Sequence, residues 1–190
     1  KMVKELRESS GAGMMDCKRA LAECGGDMDQ AMEYLRKKGI ASAAKKEGRE
    51  TAQGIVGSYI HMGGKVGVLV EVACETDFVA RTDDFQEFVH NLAMHIAAAD
   101  PAAVTREEVD GSVIEKEREI YVAQMKEQGK PDNIIDKIVE GKVDKYYSEI
   151  VLLEQKYVKD PDMTVEDYFK SVIGALGENM QIKRFARYQT

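Results

Sequence analysis

No stretch of this 190-residue chain approaches the roughly 18 to 20 consecutive apolar residues that a bilayer-crossing helix requires. Its first residues form a charged, helix-like segment, where a signal peptide would need an apolar run. A soluble, cytoplasmic protein with no membrane partner is therefore expected. Cysteine is scarce: Cys17, Cys24 and Cys74 are an odd number without framework spacing, which fits a reducing compartment and small core residues. An excess of basic charge is also missing. The net charge of −7 argues against a nucleic-acid backbone as the main partner, since that would demand a basic surface. Residues 1–50 hold 11 basic and 9 acidic side chains, against 16 and 25 in the rest. Within the first part, Arg36-Lys37-Lys38 and Lys45-Lys46 make a basic joint, which reads as solvated helix-end and linker charge.

Chemical motifs are equally scarce. There is no G-x-x-x-x-G-K-[ST] phosphate loop, and Gly63-Gly64-Lys65 suits a hairpin better than a nucleotide, so neither a cofactor nor direct nucleotide binding is expected. His90 and His95 are five apart on a helical pattern, about 140° around the axis, and cannot share one metal. Cys17 and Cys24 share a face but lie about two turns, roughly 10 Å, apart. With His61 the remaining histidine, no nucleophile, base and orienting group can be assembled. Glu75 and Asp77 could form an acid/base pair, but a hydrolase built on them would need a concave pocket there. An enzyme is not expected.

What is present is a clear division in pattern. Three short helical segments come first, separated by Gly11-Ala12-Gly13 and Gly25-Gly26, and the third is expected to stop at Gly39. This predicts a three-helix domain over 1–39, a linker over 40–50 and an α+β core over 51–190. In the core, strands near 55–61 and 65–74 read as a hairpin across Met62-Gly63-Gly64, with Val66, Val68, Val70 and Val72 on one face. A helix is predicted over 83–99, ended by Pro101, and another over 113–128, opened by a Ser112/Glu115 capping box and closed by Gly129. Further helix is expected over 131–158 with a break at Gly141. Thr164 and Asp167 open a last helix whose stripe is Val165, Phe169, Val172, Ile173 and Leu176. Residues 181–188 are a candidate third strand, so a small antiparallel sheet would pack against helices.

The most informative stretch is Thr76-Asp77-Phe78-Val79-Ala80-Arg81, where the valine strand gives way to the helix carrying Phe85, Phe88, Val89, Leu92 and Ile96. If that helix runs unbroken from Asp77, Phe78 shares the face of Phe85 and is core. If a fresh helix starts at Thr82-Asp83-Asp84, with Asp83 and Gln86 in capping-box spacing, Phe78 stands on the preceding turn. In the second helical segment, Met14, Cys17, Leu21 and Cys24 fall on one stripe, while Met15 points away among Lys18, Arg19 and Ala22. A methionine off the apolar face suits protein docking, although isolated exposed apolar residues are ordinary.

The sequence resembles bacterial elongation factor Ts, in a short single-core form, along nearly its whole length. The likeness is carried by Val3-Lys4-Glu5-Leu6-Arg7, Gly11-Ala12-Gly13-Met14-Met15-Asp16-Cys17-Lys18, residues 76–81, Gly141-Lys142-Val143-Asp144-Lys145-Tyr146-Tyr147, Leu153-Glu154-Gln155 and Arg184-Phe185-Ala186-Arg187. The resemblance implies a ubiquitin-associated-like N-terminal domain and elongation factor Tu as partner. It implies that Arg7, Met14 and Met15 touch the partner's nucleotide domain. It further implies that Thr76, Asp77, Phe78 and Val79 form a wedge that disturbs the partner's magnesium and phosphate surroundings, loosening GDP so that GTP can enter. Longer members carry a second core copy and a coiled-coil insertion, neither of which is expected here, so one copy must suffice or a second subunit, in a homodimer, must supply the other. No cysteine lies near residue 190 to tie two chains together. The alternative function is a helical adaptor that binds a ubiquitin-like or other protein through its first domain. Whether the Asp77-Phe78 corner projects into solvent discriminates the two. An organellar source stays open beside a bacterial one.

Overall fold

The computed structural model describes residues 1–10 and 12–190, and for Ile40 the backbone alone; Gly11 of the first predicted break lies outside the described residues. The chain folds as two compact units, residues 1–97 with 166–190, and residues 98–165.

The first unit opens with three helices: α1 (Met2–Ser10), α2 (Met14–Glu23) and α3 (Met28–Ala44). Leu6, Cys17, Ala20, Leu21, Ala31 and Leu35 interlock as their buried core. α3 starts where the Asp27 carboxylate accepts the Gln30 N–H at 2.9 Å, the N-cap arrangement that satisfies a free helix donor. It does not stop at Gly39, as the sequence predicts, but runs on to Ala44. Gly39 is a crossing point: a Cβ built on Gly174, in α8 (Val165–Leu176), would lie 2.7 Å from the Gly39 Cα. Two glycines facing each other let the backbones approach, so the residue that resembles a helix stop serves packing. The basic joint is likewise engaged. Arg36 pairs with Asp167 at 2.8 Å, Lys38 with Asp16, and the largely buried Lys46 donates to the Ser42 hydroxyl at 2.5 Å. Burial lowers the pKa of the Lys46 amine.

A three-stranded antiparallel sheet follows, with β2 (Val66–Cys74) at its centre between β1 (Gln53–Ile60) and β5 (Met180–Gln189). Val68, Val70 and Val72 are buried as the alternation predicts, on the face that meets α5 (Asp83–Ala99). Phe85, Phe88, Val89, Leu92 and Ile96 of α5 are all buried, and Phe88 stacks on Phe169 with centroids 5.6 Å apart. Gly57 is required where β1 passes under α5, since a Cβ there would lie 2.3 Å from Val89 Cγ1.

The second unit is mainly a helical hairpin, α6 (Gly111–Glu127) and α7 (Asp132–Ile150), with its own buried seam of Ile114, Met125, Ile135, Val139 and Val143. Asp110, not Ser112, caps α6, accepting the Ser112 N–H at 2.8 Å. α7 runs through Gly141 without a break and ends at Ile150; the predicted extension to 158 is replaced by a 3-10 turn (Leu152–Glu154) and a small ribbon of β3 (Lys156–Tyr157) and β4 (Asp160–Thr164). Arg106 clamps this unit, donating to Glu154 at 2.5 and 2.7 Å and to Asp144 at 2.9 Å, and lying over the Tyr147 ring.

Candidate functional site

The corner at residues 76–81 is a separate one-turn helix, α4 (Asp77–Ala80), between β2 and α5. Two threonines make it separate. The Thr76 hydroxyl accepts the Val79 N–H at 3.3 Å and starts the turn. The Thr82 hydroxyl donates to the Val79 carbonyl at 2.8 Å and accepts the Phe85 N–H at 3.3 Å, so it closes α4 and caps α5 at once. Thr82, rather than Asp83, is therefore the cap, and the helix does not run unbroken from Asp77. Ala80 turns inward and is buried, whereas Phe78 is 79% exposed. A residue two places from the buried one lies about 200° around the helix, which sends the phenyl ring into solvent.

Asp77 pairs with Arg81 at 2.8 Å across this turn. Glu75 accepts the Asn179 N–H at 2.6 Å and pairs with Arg49 at 3.5 Å. Each of the two carboxylates considered as an acid/base pair is thus engaged with its own partner. Among the described residues no cluster of three His, Cys, Asp or Glu could hold a metal ion. Cys74, at the end of β2, donates to the Thr76 carbonyl at 3.1 Å. Burial first, and the nearby Glu178 carboxylate next, raise its pKa and favour the thiol.

Three residues at the base of the corner have no signal in the sequence. Glu178 accepts the Thr76 N–H at 3.0 Å and the Thr76 hydroxyl at 2.6 Å, across a sequence separation of 102. Asn179 donates its side-chain amide to the Arg49 carbonyl at 2.8 Å, bringing in the segment after α3. The contacts follow from sheet register: Cys74 faces Met180, so the chain leaving β2 and the chain entering β5 run side by side.

The N-terminal residues lie on the paired helices α1 and α2, a separate part of the fold from α4. Arg7 is exposed on α1, and Met15 is 68% exposed, as its angular position predicts. Met14 departs from its stripe. Cys17 and Leu21 are buried, but Met14 is 53% exposed. It is the first residue of α2, and because helical side chains lean toward the N-terminus, its thioether extends past the end of the helix.

An exposed aromatic held on a hydrogen-bonded corner and exposed methionines on a small helical domain offer surfaces whose chemistry suits docking to another protein. The family model described as elongation factor TS matches residues 40–190. Elongation factor Ts of Geotalea daltonii is 62% identical over 186 residues, covering 98% of this chain and 86% of the relative. Elongation factor Ts of Desulfosudis oleivorans is 58% identical over 187 residues, covering 98% and 94%. That of Fervidobacterium nodosum is 58% identical over 188 residues, covering 99% and 95%. The chain belongs to the elongation factor Ts family, whose place is in the elongation stage of protein biosynthesis. Among the described residues no helix is long and apolar enough to cross a membrane.

Proposed function

We propose that this protein acts in the cytoplasm as a guanine-nucleotide exchange factor for elongation factor Tu. The functional division is 1–39 as a gripping domain, 40–50 as a connection and 51–190 as the working core. Arg7, Met14 and Met15 supply affinity and orientation. Thr76, Asp77, Phe78 and Val79 form the wedge, with Phe78 inserting between partner helices and Asp77 perturbing the charge around the magnesium ion and phosphates. The observation that carries this reading is the exposure of Phe78, 79%, on a corner anchored at both ends by threonine caps. A buried Phe78 would have favoured the adaptor reading.

Exchange of this kind is linkage. A factor that weakens nucleotide binding by some ratio must itself be bound more weakly by the same ratio when nucleotide is present, so no chemical step is needed. Release of labelled GDP from elongation factor Tu should accelerate at substoichiometric amounts of the protein. Release at the buffer rate at every concentration would remove the assignment. A second copy of the chain completes the proposal: Val56, Ile60, Leu69 and Tyr188 are exposed large residues on the sheet strands, an apolar surface of the kind that marks an interaction site.

A further inference from the structure

We infer that Glu178 is the positioning residue of the Phe78 wedge; this rests on the reading that Phe78 acts on the partner. α4 has only four residues, and one helical turn is not stable by its own propensity, because nucleation costs more than a single hydrogen bond returns. Phe78 points into solvent and has little packing of its own to fix its direction. Thr82 closes the far end of the turn through the Val79 carbonyl, and its start rests on Thr76. A threonine hydroxyl has one proton and two lone pairs. Here the proton goes to Glu178 Oε1 at 2.6 Å, which leaves the oxygen free to accept the Val79 N–H at 3.3 Å. The other carboxylate oxygen, Oε2, takes the Thr76 N–H at 3.0 Å. One carboxylate therefore restrains both the backbone and the side-chain rotamer of the residue from which the turn departs, through two charge-assisted bonds.

The anchor is itself anchored. Glu178 follows Gly177, whose φ of +81° makes the sharp exit from α8 that a side chain would resist. The next residue, Asn179, is buried and donates its N–H to Glu75 at 2.6 Å. Segments 75–76 and 178–179 thus exchange bonds in both directions: the Glu178 carboxylate takes donors from Thr76, and the Glu75 carboxylate takes a donor from Asn179. Arg49 joins the same clasp through its carbonyl and its 3.5 Å ion pair with Glu75. The wedge is held by a reciprocal lock between two chain segments about a hundred residues apart.

Glu178→Ala in the full chain should slow GDP release at saturating factor about tenfold, the scale on which a lost charge-assisted hydrogen bond shifts an equilibrium. The half-saturating concentration should change little, because the gripping residues on α1 and α2 are untouched. Glu178→Gln keeps one acceptor oxygen and should recover part of the rate. Thr76→Val added to Glu178→Ala should cost less than the sum of the two single effects, since both remove the hydroxyl–carboxylate bond, while the lost Val79 cap adds a share of its own. Amide hydrogen exchange at Val79 provides a readout independent of the partner: its protection should fall in Glu178→Ala while that of α5 holds. A purely structural role would instead lower the melting temperature and raise the half-saturating concentration, with no recovery by glutamine. Unchanged saturating release in Glu178→Ala overturns the assignment if Phe78→Ala, run beside it, is slow. If Phe78→Ala releases GDP at the parent rate, the wedge reading itself fails, and Val79 protection alone decides whether Glu178 positions the corner. Should Glu178→Ala not fold, Glu178→Gln carries both readouts.

Discussion

At the residue scale, exposure and function pull Phe78 and Met15 away from the roles their apolar chemistry suggests. A phenylalanine in the core would cost roughly 3 to 5 kcal/mol on truncation to alanine. With its ring 79% exposed, Phe78→Ala should change stability by no more than about 0.5 kcal/mol. GDP release from elongation factor Tu should nevertheless become much slower, with only a modest loss of binding, and Asp77→Ala should act in the same direction. Denaturant melts and release kinetics on the same preparations check this pair of outcomes. Met15→Ala, and equally Met14→Ala, should leave the melting temperature nearly unchanged while weakening partner binding. A loss of roughly 2 to 5 kcal/mol would return either methionine to the core. The exposure of Met15 was legible from helical angles, but that of Met14 was not, because a helical wheel has no end and a real helix does.

At the element scale, boundaries follow hydrogen-bond partners more faithfully than they follow glycines. α5 spans the predicted residues because its start has a hydroxyl cap at Thr82 and its stripe repeats every three and four positions. Gly39 and Gly141 resemble stops, yet α3 and α7 pass through both. The two differ in use. Gly39 lets α8 approach, while a Cβ on Gly141 would meet nothing within 4 Å. Gly141→Ala should therefore stabilise α7 by about 0.5 to 1 kcal/mol, through a less flexible unfolded chain and better helix propensity. A chemical-denaturation midpoint that fails to rise would mean that the glycine has a packing role not visible in its surroundings.

At the scale of the whole molecule, the sheet packs its inner face against α5 and leaves large apolar side chains on its strands exposed. In the proposed homodimer that outer surface would be shared. Closed twofold pairs are the commonest oligomers, and a central strand residue offers a direct test. Leu69 is exposed on β2, so Leu69→Glu should convert a dimer to a monomer in light scattering under reducing conditions without unfolding it. A parent protein that is monomeric both free and with elongation factor Tu would mean that one copy is enough.

The amino-acid pattern by itself determined the three-helix start, the valine hairpin, α5 and the last strand, because each depends on local periodicity and nearby caps. It also determined that residues 76–81 sit between a strand and a helix, but left open whether Phe78 lies inside or outside. The structure decided that by choosing between two locally allowed starts, with Thr82 ending one helix as it caps the next, and the tertiary contribution is a carboxylate at position 178 reaching Thr76. The physical reason is the range of the interactions. Periodicity and capping act over a few residues, whereas the Glu178 clasp exists only once β2 and β5 have paired in the register that sets Cys74 opposite Met180.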